Sequence, residues 1–138
     1  LADKAKTDAT RPEVRQIAEQ VSLRETQRAG VYAALLTSWN EKYLNLTDFP
    51  ETGGCSGYPT SSGMLAHKDV GAYRLSSGKT VDTIFFTLLI EHHKKAVDLD
   101  TLEGAKIGYG ELVKLQAASQ AEYNAEISTY EAYQKSTL

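Results

Sequence analysis

His92 and His93 stand side by side in the most apolar run of the chain, Thr80 to Asp98, which reads TVDTIFFTLLIEHHKKAVD. Imidazole is a common ligand for borderline metal ions, and its ordinary pKa lies near neutrality. Two imidazoles turned toward a core need partners, and the choices are a metal, a carboxylate, a backbone carbonyl or water. Consecutive helical residues diverge by about 100°. The two rings therefore reach one ion only with distortion and more naturally look into two different grooves. Asp82 points to the same side as His93 but lies about three turns away, out of reach within one helix. Glu122 and Glu126, late in the chain, are the carboxylates that could approach the pair from a neighbouring helix. The competing expectation is that they rotate to solvent. A softer ligand set is scattered earlier, in Cys55, Met64 and His67. Cys55 sits in GGCSG, where a free surface thiol or an intermolecular disulfide is the plainer reading.

The elements that must position these residues are helices. On a wheel, Thr80, Thr83, Thr87, Glu91, Lys94 and Asp98 fall in one narrow wet stripe, and the rest of the circumference is apolar. A strand is excluded by the length of the run and its 3.6-residue period. A membrane span is excluded because the uncharged stretch is far below about 18 residues. Thr80 is the expected N-cap. An earlier helix is expected to start at Thr10-Arg11-Pro12-Glu13, with Thr10 as cap, and to end near Trp39-Asn40. Its face is Val14, Ile17, Val21, Arg24, Arg28, Val31 and Leu35, and Gly30 is expected to mark close packing. Residues 1–10 read as the tail of a helix or a frayed end. Residues 40–79 are irregular and rich in Gly and Ser, with a short helix over Ala66 to Leu75 whose Val70, Tyr73 and Leu75 touch the core. The last helix runs from Glu111 to about Gln134, and its tyrosines, Tyr123, Tyr130 and Tyr133, have core spacing.

The 138 residues suit a single domain, with a formal charge of −3 and its acidic and basic side chains interspersed. That pattern lacks the basic patch of a nucleic-acid binder. With one cysteine, an internal disulfide is impossible. No nucleophile–base pair and no phosphate-binding glycine loop stand out, so the expectation is a non-enzyme. A di-iron oxidase needs Glu-x-x-His on paired helices, and three residues after Glu91 stands Lys94. Asn45-Leu46-Thr47 matches the N-glycosylation triplet, a pattern common by chance.

Asp82-x-x-x-Phe86, then Leu89-Ile90-Glu91-His92-His93-x-x-Ala96-Val97, and later Glu126-Ile127, resemble the signature of a bacterial family catalogued as domain of unknown function family 305. Gly63-Met64-Leu65 to Gly78 is similar to the family's linker before the His-His helix. The resemblance implies a ferritin-like, all-α four-helix-bundle type and an extracytoplasmic place, periplasmic or secreted. It also implies binding of copper or a similar transition metal such as zinc, with His92 and His93 as ligands helped by Glu126 or Asp82. Leu89 stands where the family has Met, and Tyr123 where it has Gln. Methionine-rich tails are absent, which removes the thioethers that Cu(I) prefers.

Members of this family often repeat a two-helix unit. The helix from Glu13 aligns with the one from Glu111 at a constant offset of 98: Val14 meets Leu112, Ile17 meets Leu115, Tyr32 meets Tyr130. On that register residues 1–40 form the second helix of a first unit, 41–79 the loop with its short helix, and 80–138 a second complete unit. The first helix is then largely missing, and a second copy of the chain is expected to fill its place as a homodimer, with the middle loop as the lesser alternative. Arg24 becomes the equivalent of Glu122, and Arg28 of Glu126, so these four could meet as structural ion pairs. Two functions compete: a metal-binding protein, and a helical module whose work is association without metal.

Overall fold

The computed structural model of the chain describes residues 1–41, 65–104 and 109–137, and every element in them is a helix. These are α1 (Ala2–Asp8), α2 (Pro12–Ser38), α3 (His67–Leu75), α4 (Lys79–Gly104) and α5 (Gly110–Thr137). The expected all-α architecture stands. Asn45, Thr47, Cys55 and Met64 lie outside the described residues, as does the side chain of His67.

The N-terminal ten residues do more than fray. Ala2–Asp8 is a formed helix whose Ala5 is fully buried, and Ala9 just beyond it is nearly so. Lys6 Nζ reaches Ser22 Oγ at 3.3 Å, and Arg15 donates to the Ala9 carbonyl at 2.6 Å, which folds α1 back along α2. The expected cap at Thr10 is not what forms. Arg11 is the N-cap residue of α2, without a side-chain cap, and Pro12 occupies the first turn, where its missing N–H does no harm. Thr10 is diverted to Asp82 at the start of α4. Its backbone N–H donates to Asp82 Oδ1 at 2.8 Å, and its hydroxyl donates to Oδ2. Asp82 is buried. Removing its carboxylate strands two donors in a site that water reaches poorly, at about 1–3 kcal/mol. Asp82→Ala is therefore expected to lower the melting temperature by several degrees in thermal denaturation, with little loss for Thr83→Ala on the wet stripe.

The end of α2 follows from Asn40, the one described non-glycine residue with positive φ (58°). Asn40 N–H donates to Thr37 O at 3.0 Å and Glu41 N–H to Leu36 O at 2.9 Å, the two bonds of a Schellman stop. Asn tolerates this left-handed backbone better than most residues. Gly30, expected to mark close packing, faces open space: a Cβ built there meets nothing within 4 Å.

α4 is the central element. Thr80, Thr83, Thr87, Lys94 and Asp98 are exposed as the wheel requires. Val81, Phe85, Phe86, Leu88, Leu89 and Ile90 are buried. The helix begins one residue before Thr80, after Gly78 (φ 59°), so Thr80 is inside it rather than its cap. α5 runs antiparallel to α4, as the bonds Gln134–Thr87, Lys94–Glu131 and Gln120–Val97 show. α3 packs on α4. Its Tyr73 is buried and donates to the Leu1 carbonyl at 3.2 Å. Leu75, expected in the core, is 90% exposed, because α3 is only nine residues long and Tyr73 takes its inner face.

The core is concentrated toward one end. It takes Val14 to Val21 of α2, Val81 to Ile90 of α4, and Ile127 and Tyr130 of α5, together with Ala5, Ala9 and Tyr73. At the other end Val31 and Val113 are exposed. Trp39 and Tyr109 meet edge to face at 4.8 Å there, joining the end of α2 to the approach of α5.

Candidate functional site

His93 lies one turn beyond the last core residue of α4 and is fully buried. Its Nε2 is 2.7 Å from Glu126 Oε2, in a contact screened from solvent. The other Glu126 oxygen faces α2, with Arg24 Nη1 at 3.0 Å and Arg28 Nη2 at 3.4 Å. Arg28 also pairs with Glu122 at 2.8 Å and, through its other terminal nitrogen, with Glu25 one turn back on α2. One carboxylate thus joins three helices at the upper edge of the apolar core.

Aromatic rings enclose the centre. Tyr123 and Tyr130 meet the His93 ring edge to face, at 4.7 and 5.7 Å. The Arg28 guanidinium sits 4.2 Å over the Tyr123 ring, a cation–π arrangement. Arg24 Nη2 is 3.3 Å from the Tyr130 hydroxyl. Burial pushes both phenols up, each to about 12. Burial also works to raise the Glu126 carboxyl, but the His93 hydrogen bond and the two guanidiniums more than offset it and hold it below its ordinary value. Burial opposes the charge on Arg28, and Glu122, Tyr123, Glu25 and Glu126 outweigh that and raise its pKa. An ionised Glu126 can only accept, so His93 Nε2 carries the proton it shares with that carboxylate. His93 Nδ1 is buried without a hydrogen-bond partner.

The structure brings together His93, Glu126, Glu122, Arg24 and Arg28. His92 is half-buried beside them, its ring 5.8 Å from that of His93 and tilted by 73°. The angular divergence of neighbouring residues is thus realised. Asp82 does not join the cluster; Thr10 holds its carboxylate. Glu25 was missed from sequence. Its signal was the spacing of three to Arg28, a helical ion-pair distance, hidden because it sits beside the apolar face rather than in it.

The register of 98 fits this geometry. Shifted by 98, α2 (Pro12–Ser38) becomes 110–136, and α5 spans Gly110–Thr137. The pair Arg24–Glu126 maps onto Glu122–Arg28, so the two crossed ion pairs exchange, and Arg28–Glu126 maps onto itself.

The family model described as Domain of unknown function (DUF305) matches residues 1–134. The chain belongs to this family. A crystal structure of a candidate secreted DUF305 protein from Streptomyces coelicolor superposes with a TM-score of 0.78, covering 99% of this chain and 82% of that one. The two share 18% identity, so the likeness carries the fold alone. No curated protein matches the sequence. Among the described residues no helix is long and apolar enough to cross a membrane.

Whether the cluster suits the transition metal implied by the resemblance is decided by its charges. Glu25, His93 and Glu126 of this DUF305 chain offer ligand atoms within 4.8 Å of one another. Every carboxylate among them already faces a guanidinium. The Glu122 side chain is 61% exposed. Without it, Arg24 and Arg28 balance Glu25 and Glu126. A divalent ion drawn to these carboxylates would have to displace the guanidiniums already on them. The residues present do not fit a resident metal: their charges are paired with one another, while His93 Nδ1, Arg24 Nε and Arg28 Nε lie buried without a hydrogen-bond partner.

Proposed function

We propose that this chain is a non-catalytic, extracytoplasmic helical module that works by association, and that its partner is a second copy of itself. The supporting observation is a groove of about 550 Å³ between α2 and α5, lined by Val31, Tyr32, Leu115 and Ala118 above Arg24 and Arg28. Leu23, Val31 and Val113 add exposed apolar surface on the same two helices. Among the described residues, Val31 on α2 and Val113 on α5 are 49% and 41% exposed, so both helices carry apolar surface at this end. An isologous contact between two copies covers both grooves at once. The extracytoplasmic place rests on the resemblance to a candidate secreted protein.

The test is light scattering on the purified chain over a range of concentrations. A dimer is expected, and Val31→Glu is expected to give a monomer with an unchanged helical spectrum, since Val31 is 49% exposed and its loss opens no core. A wild-type chain that stays monomeric at every concentration ends this reading. Metal binding is the runner-up, favoured by the proximity of Glu25, His93 and Glu126. It predicts heats of copper or zinc titration that vanish in the His92→Ala, His93→Ala double variant. Association without metal predicts equal heats for both proteins.

A further inference from the structure

We infer that Arg24 and Arg28 act as the built-in cation of the His93–Glu126 cluster, and that they close to divalent metals a site whose three donors are otherwise in place. The donors come from three helices: Glu25 from α2, His93 from α4 and Glu126 from α5. Ligand atoms around a tetrahedral zinc stand about 3.4 Å apart, given bonds of about 2.1 Å. Here the three ligand atoms lie within 4.8 Å of one another. What lies between Glu25 and Glu126 is guanidinium. Arg28 bridges Glu25 and Glu126, and Arg24 takes the same Glu126 oxygen from the other side.

These two charges cannot be removed by deprotonation, because a guanidinium keeps its proton throughout the accessible pH range. A metal would have to displace them bodily. They are also anchored independently of Glu126. Arg28 lies on the Tyr123 ring and pairs with Glu122; Arg24 reaches the Tyr130 hydroxyl. Three flanking contacts therefore keep the positive charge where an ion would sit. Without the guanidiniums, two carboxylates and an imidazole remain, a donor set suited to Zn²⁺ once the imidazole releases its Nε2 proton to solvent. The inference does not depend on dimerisation, and scattering on the wild-type chain reads that question separately.

The experiment is calorimetric titration of Zn²⁺ alone into four proteins: wild type, His93→Ala, Arg24→Gln/Arg28→Gln, and that double variant with His93→Ala added. Glutamine keeps most of the side-chain volume while removing the charge. The double variant is expected to bind one Zn²⁺ per chain at least 100-fold more tightly than wild type, and adding His93→Ala is expected to abolish the gain. Should the double variant be unfolded without metal, Zn²⁺ is expected to restore its helical spectrum. The single variant Arg28→Gln then supplies the second readout, a melting temperature that Zn²⁺ raises in it but not in wild type. Wild-type binding that equals the double variant and disappears in His93→Ala overturns the inference. So does a folded double variant with no Zn²⁺ binding, or an Arg28→Gln melting temperature indifferent to Zn²⁺ when the double variant cannot be refolded.

Discussion

Glu126→Ala is expected to lower stability by about 3–5 kcal/mol, the range for removing one partner of a buried charge cluster. Both oxygens of Glu126 are used, by His93 on one side and by Arg24 and Arg28 on the other. Alanine leaves a fully buried imidazole without its acceptor and Arg24 without its carboxylate, while Arg28 keeps Glu25 and Glu122. The neighbouring Glu122→Ala sets the scale: its side chain is 61% exposed, and an exposed ion pair is worth roughly 0–1 kcal/mol. Urea denaturation should separate the two variants clearly. The effect should also depend on pH in a set direction. In the folded chain the Glu126 carboxyl titrates below its ordinary value of 4.5, despite burial, because His93, Arg28 and Arg24 favour the ionised form. Its contribution is fully present above 4.5 and is lost as pH falls through the folded value. The gap between wild type and Glu126→Ala should therefore narrow with acidification.

Much of this arrangement was legible in the sequence, for local reasons. The wet stripe of α4 is a consequence of helical period alone, so Thr83, Thr87 and Lys94 had to share a side. The crossed pairs followed from an alignment of one helix on another, since equivalent faces of α2 and α5 meet where they cross. What escaped was decided between elements. Thr10 has the chemistry of a cap, yet a carboxylate 72 residues away binds it more fully than the N–H groups of its own helix would. Leu75 ends an amphipathic turn too short to bury both of its apolar sides. Glu25 is polar and off the face, so nothing in the period of α2 draws attention to it. Only the three-dimensional approach of His93 gives it meaning.

Phe86→Ala is the second large effect, and it tests whether the apolar seam and the polar cluster are one structure or two. Phe86 is 1% exposed. Its ring contacts Phe85 at 5.5 Å, Tyr130 at 6.1 Å and Tyr133 at 6.1 Å, the last nearly parallel. Truncating a buried phenylalanine costs about 3–5 kcal/mol, through lost transfer energy and a cavity. Tyr133 is 39% exposed, so water can enter from that side and the loss should lie nearer the lower figure. Tyr130 is the link between the two regions. It touches Phe86 on one face, lies 5.7 Å from the His93 ring, and bonds Arg24 through its hydroxyl. A cavity at Phe86 frees Tyr130 to shift, and that shift weakens the alignment of Arg24 with Glu126. The losses of Phe86→Ala and Glu126→Ala should accordingly sum to more than the double variant shows, by about 0.5–3 kcal/mol. Additivity within about 0.5 kcal/mol would mean instead that the histidine cluster rests on the core without being set by it.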